Sequence, residues 1–256
     1  MTKKVLDWKL YEEAASECAS EGIVLLKNDG ALPLTEGMKI AMFGRAQNHY
    51  YKSGTGSGGM VNVSHITDIR EGLEGSGLVT VDKDLSSIYD KWDLENTEYN
   101  NLGWGREAWS MEEMPLTEDI VKEARARCDA AVIVIARTAG EDRDNSAKEG
   151  SYYLTAKEKD MIRIVTSNFE RSVVVLNTGN IIDMSFVSEF DPSAVLYVWQ
   201  GGMIGGKAAA DVLTGKVNPS GCLADTIAKD LADYPSDENF GKTGLTDYYK
   251  EDIFVG

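Results

Sequence analysis

The stretch "VIVIARTAGEDRDNSAKEGSYY" (132–153) begins as an unbroken apolar run, which Ala130 and Ala131 extend backwards. A strand with no polar alternation is one covered on both faces, the pattern of a parallel sheet flanked by helices. After Ala136 the run breaks into a polar loop. Within nine positions that loop crowds four carboxylates and an arginine: Glu141, Asp142, Arg143, Asp144 and Glu149. One reading is a solvated acidic turn. The other is a functional loop, because α/β folds carry their chemistry at the carboxyl ends of their strands.

Working outward, "KIAMFG" (39–44), "LVTVD" (78–82), "SVVVLN" (172–177) and "AVLYVW" (194–199) read as further strands, and "GIVLLKN" (22–28) as a short one near the start. Helical patterns alternate with them. Residues 8–21 place Trp8, Tyr11, Ala15, Cys18 and Ala19 on one stripe, with Asp7 as N-cap. Residues 64–74 follow Ser64 as a cap, and 117–127 follow Thr117. Residues 155–168 open with Thr155 and Glu158 in capping-box spacing. A short helix is expected near 181–188 and a longer one over 203–214. Residues 83–116 read as irregular. The order implies a three-layer α/β/α sandwich with a mostly parallel sheet, a single domain over 1–214. Residues 215–256 read as an extended acidic segment that packs on it or leads to a further domain.

The totals exclude several functions. The chain has 256 residues, 43% hydrophobic and 27% charged, with a formal net charge of −16. That balance argues against nucleic-acid partners and anionic membrane surfaces, which need a basic face. No apolar run approaches the ~20 residues of a membrane span. Cys18, Cys128 and Cys222 are too scattered for a disulfide framework or a metal site, and His49 and His65 cannot build a His-rich centre. No metal and no cofactor are expected. The start "MTKKVLDWKLYEEAA" lacks a signal-peptide core, so a cytoplasmic, reducing location is expected.

Two long loops leave strand ends, 45–63 and 137–154. The first holds "GTGSGG" (54–59), a formal G-x-G-x-x-G match. Nine residues separate it from Gly44, and no lysine follows, so it fits neither the Rossmann turn nor the P-loop. It reads as a flexible loop or as a glycine-rich lip that lets backbone and the Ser57 hydroxyl approach a polar ligand. In the second loop, Asp142 and Asp144 would raise the pKa of Glu141 and Arg143 would lower it; a carboxyl tuned upward suits general-acid work. Trp92, Trp104 and Trp109 could stack on a sugar, though packing is the commoner use. His49 and His65 read as structural, and the sequon Asn62-Val63-Ser64 carries no meaning in a reducing compartment.

Several segments together resemble the α/β sandwich domain of family 3 glycoside hydrolases: "EGIVLLKNDGALPL" (21–34), "GTGSGG" (54–59), "AGEDRD" (139–144), "VVVLNTGNIIDM" (173–184), "ADVLTGKVNPSG" (210–221) and "YYKEDIFVG" (248–256). The resemblance spans nearly the whole chain. It implies a β-glucosidase-like retaining mechanism split across two domains. A (β/α)8 barrel supplies the aspartate nucleophile, and the sandwich supplies the acid/base glutamate. The matching position is Glu141, with Glu149 as rival; Ser57, with Gly56 and Gly58 beside it, matches a serine that reaches the sugar in some relatives.

The resemblance also implies partners: a β-linked glucoside or oligosaccharide substrate and a barrel of the same full-length enzyme. Self-association stays open. A barrel needs about 200 residues or more, and the lone Asp-Trp pair, Asp7-Trp8, reads as a helix start. The chain is therefore expected to be one domain of a longer enzyme whose sandwich precedes its barrel, inactive alone. Met203-Ile204 and Cys222 with Ala224 depart from the family pattern and leave the substrate subgroup open. A rival class is a non-catalytic α/β module that binds a nucleotide or phosphate; another is a pure docking domain.

Overall fold

Apolar residues on both sides of a strand demand cover on both sides, and the chain supplies it. The computed structural model describes residues 5–59, 61–97, 108–141, 144–240, 242, 244, 246 and 248–254. Its sheet has six strands: β1 (Val24–Asn28), β2 (Lys39–Phe43), β3 (Thr80–Val81), β4 (Ala130–Arg137), β5 (Ser172–Thr178) and β6 (Ala194–Tyr197). They lie in the order β1-β6-β5-β4-β2-β3. All neighbours are parallel except β1, which runs antiparallel to β6 at one edge. Every residue of β4 and β5 is buried, as the opening stretch requires.

The alternation of side chains divides the core into two layers. Val132 and Val134 of β4 join Val173 and Val175 of β5 on one face, beneath α1 (Trp8–Gly22), α2 (Ile69–Gly75) and α7 (Gly205–Leu213). Ile133 and Ile135 join Val174 and Leu176 on the other. That face is covered by α3 (Lys83–Glu95), α4 (Glu118–Arg127), α5 (Ala156–Asn168) and α6 (Ser185–Phe190). The three-layer sandwich is thus as expected.

Three local expectations fail, each for a physical reason. Residues 83–95 are helical, capped by Asp82, whose side chain accepts from Asp84 N. Leu85, Ile88, Tyr89 and Trp92 form the inward stripe. The helix after "SHITD" starts at Ile69, not after Ser64; Asp68 occupies its cap position but spends its carboxylate on Tyr50 N, at 2.8 Å. The α1 stripe is inward only in part: Ala19 packs against the core, Trp8, Tyr11 and Cys18 are exposed, and Ser16 and Ser20 are buried. Small residues there let α1 lie close to α7, where Lys207 Nζ reaches Ser16 Oγ at 3.2 Å.

Glycine permits the same closeness between α2 and α7: a Cβ on Gly206 would overlap the backbone of Thr67 and Asp68. Residues 215–254 contain one 3-10 turn, Leu231–Asp233, and no strand among the described residues. Gly221 N bonds Ile23 O at 3.0 Å, which holds this segment to the start of β1.

Candidate active site

The strand order reverses between β2 and β4. From β2 the chain crosses to β3 on one side, and from β4 to β5 on the other. Loops leaving two such neighbours diverge and open a crevice at their carboxyl ends, where ligands of doubly wound sheets bind. Both long loops start there.

The loop after β2 is held by buried polar groups. Gly44, at φ 91°, turns the chain where a Cβ would overlap the Val134 backbone. Arg45 is buried and pairs with Asp93 at 2.7 Å, and Asp93 also meets His49 Nε2 at 3.0 Å. His49 is therefore tied into the base of the loop. Further along, Asn177 at the end of β5 accepts from Tyr51 N at 2.8 Å and donates to Tyr51 O at 3.1 Å and to Trp199 O at 2.6 Å. One buried amide thus fixes the loop across the sheet edge. Lys52 Nζ then closes the glycine turn by donating to Gly59 O at 2.8 Å.

The loop after β4 is anchored by Arg137. Its buried guanidinium meets both oxygens of Glu158, at 2.6 and 2.7 Å, and donates to Ser151 O at 3.0 Å. Glu158 is the capping-box residue of α5 and also accepts from Thr155 N at 2.8 Å. One ion pair thereby ties strand end, loop and helix start together.

Between these anchors the two loops meet. Thr55 N bonds Ala139 O at 2.5 Å, and Thr55 pairs with Gly140 as a short parallel bridge. Two glycines at the crossing have no room for a side chain. A Cβ on Gly140 would overlap the Thr55 backbone, and one on Gly56, at φ 82°, would overlap the Glu141 side chain. The contact presents Glu141 to solvent with one oxygen held. Ser57 N and Ser57 Oγ both donate to Glu141 Oε2, each at 2.9 Å. Those two donors, backbone first and hydroxyl second, hold the Glu141 carboxyl below the usual carboxylate range.

The residues singled out in the sequence fall as follows. Glu141, Ser57 and Gly56 come together. Gly58 is at the exposed tip, with open space where a Cβ would stand. Asp144 is exposed, while Asp142 and Arg143 lie outside the described residues, so the lowering seen at Glu141 is due to Ser57. Glu149 is exposed on the turn of the same loop, bridged to Tyr153, and among the described residues makes no bond with the glycine loop. Trp92 packs half-buried on α3, Trp109 O accepts from Thr138 N at 2.9 Å, and Trp104 lies outside the described residues.

Among the described residues no cluster could hold a metal ion, and no helix is long and apolar enough to cross a membrane. The glycine run is not a phosphate cradle, since Ser57 N is committed to a carboxylate and α2 begins well beyond Gly59. Asn177 and Arg137 escaped the sequence reading. Arg137 had left a signal, a charged residue closing an otherwise apolar strand.

A doubly wound α/β sandwich with an exposed, serine-held carboxylate where its strand order reverses defines a class of domain. The chain belongs to the family 3 glycoside hydrolases: the model of the "Glycosyl hydrolase family 3 C-terminal domain" matches residues 23–256. Among relatives, a beta-glucosidase of Ruminococcus albus is 52% identical over 98% of this chain and 26% of its own length. Beta-glucosidase A of Butyrivibrio fibrisolvens is 40% identical over 95% of this chain and 32% of its own length. Among solved structures, a beta-glucosidase from Paenibacillus barengoltzii superposes with a TM-score of 0.88 at 44% identity, covering 94% of this chain and 26% of that one. Beta-glucosidase 3B from Thermotoga neapolitana, solved with glucose, gives 0.86 at 34% identity, covering 98% of this chain and 36% of that one. The chain thus spans about a quarter to a third of the length of these relatives.

Proposed function

We propose that this domain supplies the general acid/base of a retaining β-glucosidase-type hydrolysis, that Glu141 is that residue, and that the nucleophile comes from a (β/α)8 barrel of the same full-length enzyme. The observation that carries the reading is the position of Glu141: exposed, at the switch point, on a loop locked by Thr55 and Gly140. Retaining hydrolysis needs two carboxyl groups about 5–5.5 Å apart. Among the described residues Ser57 N and Ser57 Oγ donate to Glu141, and on this reading Glu141 is one half of the pair, with the other half on the barrel.

In the first step Glu141 donates its proton to the leaving glycosidic oxygen while the nucleophile attacks the anomeric carbon. In the second it takes a proton from the water that releases the sugar. The first step needs the protonated form and the second the ionised form. Ser57 favours the ionised form. A neighbouring carboxylate from the barrel would push the other way, since like charge raises a pKa. Ser57 is the partner that holds Glu141 after the first transfer, when its carboxylate is ionised.

The test is Glu141→Ala in the full-length enzyme, on aryl β-glucosides of graded leaving group. A poor leaving group needs the proton, so its rate falls about 10²–10⁴-fold. An activated aryl group leaves without it, and its glycosylation step is spared. Unchanged turnover of the poor leaving group, or an equal fall in Glu149→Ala, would take the role from Glu141.

A further inference from the structure

Beside the Glu141 loop is a cavity of about 630 Å³ that the proposed chemistry does not use. The loop forms one wall through Asn145 and Tyr152, the turn after β5 another through Asn180, and the far wall comes from Tyr234, Ser236 and Phe240. Asp144, also at its edge, is three residues from Glu141, so the edge is within about 11 Å of that residue along the chain.

Two features point to a ligand. Tyr152 is 2% exposed, it lines the cavity, and its buried hydroxyl has no hydrogen-bond partner among the described residues. Buried hydroxyls are normally satisfied, so this one is arranged for a group that enters the cavity. Phe240, opposite, is 53% exposed. An exposed aromatic ring across a cavity from unspent polar groups is suited to a sugar ring, which offers an apolar face to stack and hydroxyls to bond. The Asn180 amide nitrogen and the Ser236 hydroxyl have no partner among the described residues, whereas the Asn145 amide nitrogen already donates to Ile181 O, at 2.9 Å. The charged groups of the lining are Asp144, Asp237 and Lys242, and Lys242 pairs with Asp237 at 3.6 Å, so the balance is negative and disfavours phosphorylated or acidic ligands.

We propose that this cavity is a second carbohydrate site that takes one or two neutral pyranose rings. The volume is in the range of small-ligand sites. The cavity and its lining are independent of the role of Glu141. The experiment titrates the 256-residue chain with cellobiose by calorimetry and by NMR. Saturable binding is expected, weakened about 3- to 10-fold in Tyr152→Phe, as for one lost hydrogen bond. The thermal midpoint of that variant should not fall, because the hydroxyl has no partner among the described residues. Phe240→Ala weakens binding as well, and Glu141→Gln leaves it unchanged. Absence of saturable binding, or parent affinity in both cavity variants, would overturn the proposal. Loss of binding in Glu141→Gln would also overturn it, moving the sugar to the rim and leaving the acid/base reading intact.

Discussion

At the scale of the residue, Glu141 is defined by what donates to it. Ser57 gives both its N–H and its hydroxyl to one oxygen, and the glycines around it keep the approach open. Removing only the hydroxyl leaves the backbone donor and withdraws part of the preference for the ionised form. The Glu141 pKa in Ser57→Ala is therefore higher than in the parent chain, as a carboxyl ¹³C titration would show. In the full-length enzyme the same change moves the alkaline limb of the pH profile upward, since the proton-donating form persists to higher pH. An unmoved Glu141 titration would mean that Ser57 is a neighbour without electrostatic effect.

At the scale of the element, the base of the glycine loop carries a second titrating group. Glu113 is buried, accepts from Arg45 N and Met114 N, each at 2.8 Å, and burial pushes its pKa from 4.5 to about 8 despite those donors. A carboxyl with a raised folded pKa binds its proton more tightly when folded. Its contribution to stability is thus complete below about pH 4.5 and declines as pH rises to about 8, by at most about 1.4 kcal/mol per pH unit. Urea unfolding at pH 5 and pH 8 should show this loss in the parent and a flatter dependence in Glu113→Gln. An identical pH dependence in both would assign the proton elsewhere.

Much of this level was legible in the chain. The Thr155–Glu158 capping box is present as its spacing predicts, and the all-apolar strands fixed the two-layer cover. Helix 83–95 was readable too, through Leu85, Ile88, Tyr89 and Trp92, but its three aspartates mask the stripe. Asn177 was not readable. Its partner Tyr51 is 126 positions away, and nothing local distinguishes an asparagine that ties a loop from one that ends a strand. The start of α2 was misread because Asp68 serves Tyr50 rather than its own helix, a tertiary contact that overrides a local signal.

At the scale of the whole molecule, the fold is a rigid platform with its open edge at the β2–β4 reversal. The platform covers about a quarter of the Ruminococcus relative, so the proposed reaction needs the remainder. The purified 256-residue chain is accordingly expected to hydrolyse no aryl β-glucoside, and robust, contaminant-free turnover would refute the division of labour. The acid/base assignment is tested most directly by azide rescue of full-length Glu141→Ala on an activated aryl glucoside. Azide attacks the glycosyl-enzyme without needing a base, so the account predicts a restored rate and a β-glucosyl azide product. No acceleration, with glucose as the sole product, would contradict it.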